Sequence, residues 1–386
     1  MTWGTLWRDE LRAIFTNTSL LFTVFGGVLI YSFLYPMPYL HQLPREQAIV
    51  VVNLDHSTLS RDLVRMVDAT PQVRVAQQAG SLTAAKALIT AGQVEGLLLI
   101  PEHFNRDVLL GKSPTLAYAG DAAYFLVYGT IVEGLASAGG TLGAQIKVAR
   151  MVMSGDSMVL AADQYTPIKL NAQPVFNPTM GYVNYVVPAV FVLILHQTLL
   201  IAVALLGGGQ NTSRLAGETG YWLQQPAWRV WLVRTTIFAL MYVPLVMYYF
   251  GFSFTYYQIS RLATIPDLLF VTVPFLLAVI SLGMILGQLI TRRELATVVV
   301  LLSSLPLVFS VGFIWPVEAL PTAIYALSQL APSTPAINAF LRLNQMGADL
   351  SQVMDYVGLL WLQAVGYGLI AYWLMARQTI HHPKTV

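Results

Sequence analysis

One membrane-length apolar segment lies near the N-terminus, a polar stretch spans 37–178, and five more apolar segments crowd the second half. This uneven spacing constrains the fold more than any motif. Hydrophobic residues make up 56% of the chain and charged residues only 10%. Soluble domains carry about 25% charged residues, so the composition is that of a polytopic membrane protein. A formal charge of +2 is too small for a nucleic-acid partner. No cysteine is present, which removes disulfides, thiolate metal sites and a cysteine nucleophile from consideration.

A hydrocarbon core about 30 Å thick needs about 20 apolar residues in a helix. The sequence predicts such helices at 17–36, 182–206, 230–254, 266–290, 297–315 and 356–375. The first is longer than a signal-peptide core and lacks a small-residue cleavage site, so it reads as a retained anchor. Six spans put both termini on one side. Arg8, Arg12, Arg214, Arg229, Arg234, Arg292, Arg293, Arg377 and Lys384 fall on that side, against Arg261 and Arg342 in the short loops opposite. The positive-inside rule therefore predicts cytoplasmic termini and an extracytoplasmic 37–178 segment, periplasmic in a Gram-negative inner membrane. Arg234, Asp267 and Asp355 are expected at span ends, within reach of water. Within 1–16, Trp3, Leu6, Trp7, Leu11 and Ile14 recur at helical spacing opposite Arg8, Asp9 and Arg12. That pattern suits a helix lying in the membrane interface.

The inserted segment alternates strand and helix signals. Strands are expected at AIVVVNL, QVRVAQ, VEGLLLI and PTLAYA. Helices are expected at 57–69, capped by Ser57 or Thr58, and at SLTAAKALITAG, capped by Ser81 and ended by Gly92. A further helix starts near Pro101, and a long one covers 122–154. Alternation of this kind predicts a mainly parallel sheet covered on both faces. The predicted fold is thus a membrane α-helical bundle of six spans with an inserted extracytoplasmic α/β domain. The domain's basic and acidic residues nearly balance, which points to no charged ligand.

Motifs for chemistry are nearly absent. Asp55-His56-Ser57 holds triad residue types, but sequence neighbours cannot take up triad geometry, and a strand end running into a helix cap explains them. Gly111-Lys112-Ser113 resembles the end of a phosphate loop, yet Arg106 stands where the first glycine is needed. His381-His382 is an isolated pair that predicts no metal site. His196 is the one ionisable residue midway through a span; with Gln197 it either lines a substrate path or makes an interhelical hydrogen bond. With no mid-membrane carboxylate and no nucleotide motif, a carrier built this way needs an external motor.

The second half resembles the permease subunits of ABC-2 type exporters, including the subgroup with a large extracytoplasmic domain after the first helix. Phe176-Asn177-Pro178 leading to Asn184 and Pro188 is similar to that family's entry into its second span. Arg214, Glu218, Thr219, Gly220 and Pro226, within a 207–229 loop, resemble its ATPase-coupling segment, although charge is sparser and Thr219-Gly220 is reversed. Pro316, Pro321, Pro332 and Pro335, within 316–350, resemble its outer re-entrant helices, with Leu320, Ile324, Leu327 and Leu330 on one face, packed to cap the bundle.

The resemblance implies a non-enzymatic permease that exports its substrate along the second and fifth spans, past His196, Gln197 and Asn184, and the aromatic-rich, charge-poor spans favour a hydrophobic or amphipathic cargo. It further implies cytoplasmic ATPase subunits that carry ATP and Mg, with no cofactor on this chain. A second copy or a paralogous permease, membrane lipid and a periplasmic membrane-fusion adaptor complete the implied partners. The rival reading is a receptor, signalling or adhesion protein that uses the α/β domain without transport. An intramembrane enzyme is disfavoured because the spans hold no paired Asp, no HExxH and no facing Ser and His.

Overall fold

The computed structural model describes residues 2–40, 44–165, 173–177, 180–290, 292 and 294–380. His381, His382, Lys384, Arg293 and Pro178 lie outside the described residues. The chain divides into two compact units, one formed by Met1–Gln42 with Pro174–Val386 and the other by Leu43–Gln173.

The membrane unit starts with helix α1 (Trp3–Phe15), whose N-cap Thr2 accepts from the Thr5 amide. Asn17 caps the next helix, α2 (Thr18–Tyr39), through the Leu20 amide at 3.1 Å. Five residues of α2, Phe22–Gly26, form a wide π turn.

The inserted unit follows as β1 (Gln47–Asn53), α3 (Thr58–Asp68), β2 (Val73–Gln78), α4 (Leu82–Thr90), β3 (Gly96–Ile100), α5 (Phe104–Leu109), β4 (Ala117–Gly120), α6 (Phe125–Met153) and α7 (Met158–Gln164). The caps are those expected: Ser57 accepts from Ser60 N and Ser81 from Ala84 N. Gly92, just past α4, takes a left-handed φ of 66° that a side chain would strain. Strand order is β2-β1-β3-β4. β1 runs parallel to β2 and β3, while β4 joins antiparallel, so the sheet is mainly parallel. Alternation along β1 explains why both faces are covered. Ile49 and Val51 join α3, α5 and α6 in one core, and Val50 and Val52 join Ala85 of α4 in the other.

The Tyr118 ring on β4 packs against two glycines that face each other across the sheet edge. A Cβ on Gly96 would lie 3.0 Å from it, and one on Gly120 would collide with its hydroxyl. That hydroxyl is buried without a partner, and burial, reinforced by Tyr128, pushes its pKa up to about 12. Its folded-state value exceeds the usual phenol value near 10, so the stability tied to its neutral form is intact below pH 10 and fades as pH rises through about 12. Tyr118→Phe is expected to preserve the domain and remove that alkaline loss. Hydrogen exchange in β3 and β4 at stepped pH would measure both.

The membrane unit resumes with α8 (Tyr182–Leu215), α9 (Ala227–Tyr256), α10 (Ile265–Leu289) and α11 (Glu294–Ser310). It ends with α12 (Thr322–Ser328), α13 (Ser333–Met346) and α14 (Met354–Ile380). Six helices among the described residues are long and apolar enough to cross a membrane, but not quite the six expected. Helix α6 qualifies by composition, yet its buried residues Ile131, Ala138 and Leu142 belong to the core of the α/β domain. Conversely α11, at the expected fifth span, has 17 helical residues with Pro306 inside and gives way to bends at 311–315.

Helix α8 is the axis of the bundle, buried along nearly all of its apolar length. Glycines bring α10 against it: a Cβ on Gly207 would lie 3.0 Å from Gly287 Cα, and one on Gly283 would lie 2.8 Å from Val203 Cβ. Small residues at such crossings let backbones approach where no hydrophobic effect drives association. A second π turn, Tyr248–Ser253, interrupts α9. Near it the Tyr249 hydroxyl donates to Val28 O and the Tyr257 hydroxyl to Ser32 O, both at 2.8 Å.

The prolines of 316–350 start short helices: Pro321 and Pro332 precede α12 and α13, and Pro335 sits in the buried first turn of α13. Pro316 precedes a single 3-10 turn. The expected packing is corrected here. Ile324, Leu327 and Leu330 are exposed, whereas α13 seats Ala336, Ile337, Phe340 and Leu343 in the core. Phe340 stacks on Phe250 at 4.9 Å, so the plug is α13 and not the face read from the leucines.

Candidate functional site at the base of the bundle

The end of the bundle where α1 lies is called basal here. The stripe of α1 that is fully buried comprises Leu6, Glu10 and Ile14, at successive four-residue steps. An acid in an apolar stripe needs a partner, because an unpaired buried charge costs several kcal/mol. Glu10 has one. Arg234 of α9, itself only 1% exposed, donates through Nε to Glu10 Oε1 at 2.5 Å and through Nη2 to Oε2 at 3.3 Å.

The ring of contacts then closes through two more elements. Arg234 Nη2 donates to Gln210 Oε1 of α8 at 2.7 Å, and Gln210 Nε2 donates to the Tyr221 hydroxyl at 3.0 Å. That hydroxyl donates to Glu10 Oε2 at 2.6 Å. Burial, and then the charge of Glu10, push the Tyr221 pKa far up, which keeps it a donor. Four elements, α1, α8, α9 and the 216–226 loop, are thereby joined through one carboxylate and one guanidinium. The span-end, water-reaching position expected of Arg234 is incorrect, because α1 folds over it and seals it.

Two further contacts fix the same end. Asn211 Nδ2 donates to Gln288 O at 3.1 Å and Ile290 O at 2.7 Å, tying α8 to the end of α10. Trp3 meets Trp228 edge-on at 5.5 Å, and the Arg229 guanidinium lies 5.1 Å from the Trp3 ring centre.

The residues expected to couple to a motor lie around this ring without forming a cluster. Helix α8 continues to Leu215, so Arg214 is helical and donates to Asn211 Oδ1 at 2.8 Å. Gly217, at φ 82°, turns the chain, and Glu218 and Thr219 then stand exposed. Gly220 is held under Trp222, whose ring leaves no room for a Cβ. Pro226 precedes α9 as its N-cap residue.

His196 and Gln197 part company. His196 is 1% exposed and faces Phe275 at 6.5 Å, and among the described residues neither ring nitrogen has a hydrogen-bond partner, so the expected interhelical bond is not formed there. Gln197, half-buried, donates across to Ser304 of α11 at 2.7 Å. Asn184 is half-buried near the opposite end of α8. Among the triad-like residues, Ser57 caps α3 and Asp55 Oδ1 accepts from Asn105 N at 3.3 Å, which is structural work.

Residues 18–373 match the family described as ABC-2 family transporter protein. The chain belongs to the ABC-2 transporter family. No curated protein matches it closely enough to count as a relative. Membership covers nearly the whole chain, including the inserted domain, so this ABC-2 protein is a multi-pass membrane protein of a transport family with the α/β domain as part of its matched length. Glu10 precedes the matched residues, and sequence reasoning, which placed Leu6 and Ile14 on one face of this helix, missed it. The signal was available, since Glu10 alone interrupts the Leu6 and Ile14 register with an acid.

Proposed function

We propose that this ABC-2 protein is the membrane-spanning subunit of an ATP-driven exporter, working as a pair with a second copy or a paralogue. Its termini are cytoplasmic, its α/β domain extracytoplasmic, and its membrane the bacterial inner membrane. Separate ATPase subunits, carrying ATP and Mg, dock on α1 and on the 216–226 loop, where Glu218 and Thr219 are exposed. The observation that carries the reading is the ring of Glu10, Arg234, Gln210 and Tyr221. It joins the surface a motor would push to α8, the axis of the bundle. A push on α1 or the loop is then transmitted as a rigid-body tilt. The half-buried Gln197 and Ser304 put polar groups along α8 and α11, the spans that would line a path for a hydrophobic or amphipathic substrate.

Co-purification from native membranes tests this. An ATPase subunit should be recovered with the chain, and Glu218→Arg with Thr219→Arg should cut its recovery at least tenfold while leaving the melting temperature of the permease unchanged. Recovery of no ATPase, with no response of the complex to nucleotide, would sink the proposal.

A further inference from the structure

One face of α6 steps through Gly139, Leu142, Gly143, Ile146, Lys147 and Arg150, and this face forms one wall of a cleft of about 400 Å3. The opposite wall comes from Phe104 and Val108 of α5 and from Lys112 and Leu116 beyond it. Phe104, Val108 and Leu142 are nearly fully buried, which makes the floor apolar. A second cleft of about 340 Å3, reached past Leu116 and Gly139, extends it over Leu63, Val67 and Leu98. Both volumes fall in the range of small-ligand sites. The cleft is open at Gly143, where an added Cβ would meet nothing within 4 Å.

Three cations line the first cleft, and among the described residues no carboxylate does. Lys147 donates to Tyr165 O at 2.6 Å and Arg150 to Val108 O, both neutral carbonyls. Among the described residues neither is ion-paired, whereas Lys112 pairs with Asp107 at 3.8 Å. Lysine has three donors and arginine five, so all three retain capacity for an anion. An apolar trough ending in three cations, of which only Lys112 has a carboxylate beside it, matches a long hydrocarbon chain with an anionic head. The Gly111-Lys112-Ser113 segment finds its place here, with Lys112 and Ser113 lining the cleft.

We propose that this cleft binds a single-chain anionic amphipath of the long-chain carboxylate class, with its chain between α5 and α6 and its head at Lys112, Lys147 and Arg150. The proposal deepens the exporter reading by giving a substrate class, and it rests on that reading only for the purpose the cleft serves. The near balance of charge in the domain gave no sign of it, because the cations are gathered by the fold and not by the sequence.

The test uses the full chain in phosphatidylcholine nanodiscs, photolabelled with a diazirine-bearing hexadecanoate and mapped by mass spectrometry. Adducts are expected on peptides covering 104–116 and 139–150. Gly143→Phe, which fills the cleft, should lower them at least fivefold while labelling of the spans is unchanged. Lys112→Glu with Lys147→Glu, at two exposed positions, should do the same and decides the matter if Gly143→Phe misfolds. Each methylene removed from a competing carboxylate should weaken competition by up to about fourfold. Adducts confined to the spans, or equal labelling by the matching uncharged alcohol, would overturn the proposal. No ATPase enters this assay, so its failure leaves the exporter reading standing, and a missing ATPase leaves the cleft standing.

Discussion

Glu10→Ala is expected to destabilise the membrane unit by about 3–5 kcal/mol, the usual cost of leaving one member of a buried ion pair without the other. Arg234 would remain 1% exposed, with Gln210 as its only described side-chain acceptor. Glu10→Gln should fall between wild type and Glu10→Ala, because its single amide oxygen keeps part of the hydrogen bonding while the charge is lost. Glu10→Leu combined with Arg234→Met should recover most of the loss, since apolar replacement of a whole buried pair is often neutral or stabilising. Thermal melts of the four proteins in detergent measure the series. A melt of Glu10→Ala within about 1 kcal/mol of wild type would show that the pair does not hold the base together. If the ring also transmits motion, the rescued double variant should stay folded yet lose substrate-stimulated ATP hydrolysis in the assembled complex. Pure scaffolding would leave that rate intact.

The second large effect is expected where α8 and α10 cross. Gly287→Val would drive a branched side chain into Gly207, whose Cα would lie 2.9 Å from even the first added carbon. Neither backbone can yield, because Asn211 pins the same two helices together one turn away. Overpacking of this kind costs about 1–3 kcal/mol, and the upper end is expected here. Gly207→Ala alone should cost less, and Gly207→Ala with Gly287→Ala should cost more than the sum of the two, since both methyls claim one gap. By contrast Gly209, whose added carbon would meet nothing within 4 Å, should accept alanine without loss. Equal melts for Gly209→Ala and Gly287→Ala would refute the close crossing.

Local signals were legible in the sequence, and long-range partnerships were not. Ser57 and Ser81 announce their helices because a cap is read from residues three apart. The parallel sheet follows from strand and helix alternation alone. The inventory of spans was harder, because hydropathy cannot distinguish a helix buried by lipid from one buried by its own sheet. Helix α6 carries as apolar a composition as a span, and α11 falls short because Pro306 and the bends after it end the run. Arg234 shows the same limit in electrostatics. Its position near a span end promised water, and only the folding of α1 across that end removes it. His196 fails for the opposite reason, since mid-span position promised a partner and the surrounding apolar side chains supply none.

The tyrosine bonds between α9 and α2 bear on how the protein is made. Tyr249 reaches Val28 across 221 residues and Tyr257 reaches Ser32 across 225. Leu20, Val24 and Val28, the fully buried side of α2, share their core with Leu6 and Ile14 of α1 and otherwise with residues synthesised after the whole α/β unit. During translation the first span therefore waits in the bilayer with most of its interior face unmatched. The Leu43–Gln173 unit is continuous in sequence and has its own cores, so it can complete its fold in that interval. Its biogenesis thus proceeds in a forced order, an anchored helix first, then a finished soluble module, and only then the arrival of the helices that give the anchor a home. A factor that shelters solitary apolar helices would be needed most in that interval, and slowed synthesis of the second half would expose the nascent chain to membrane proteases at α2.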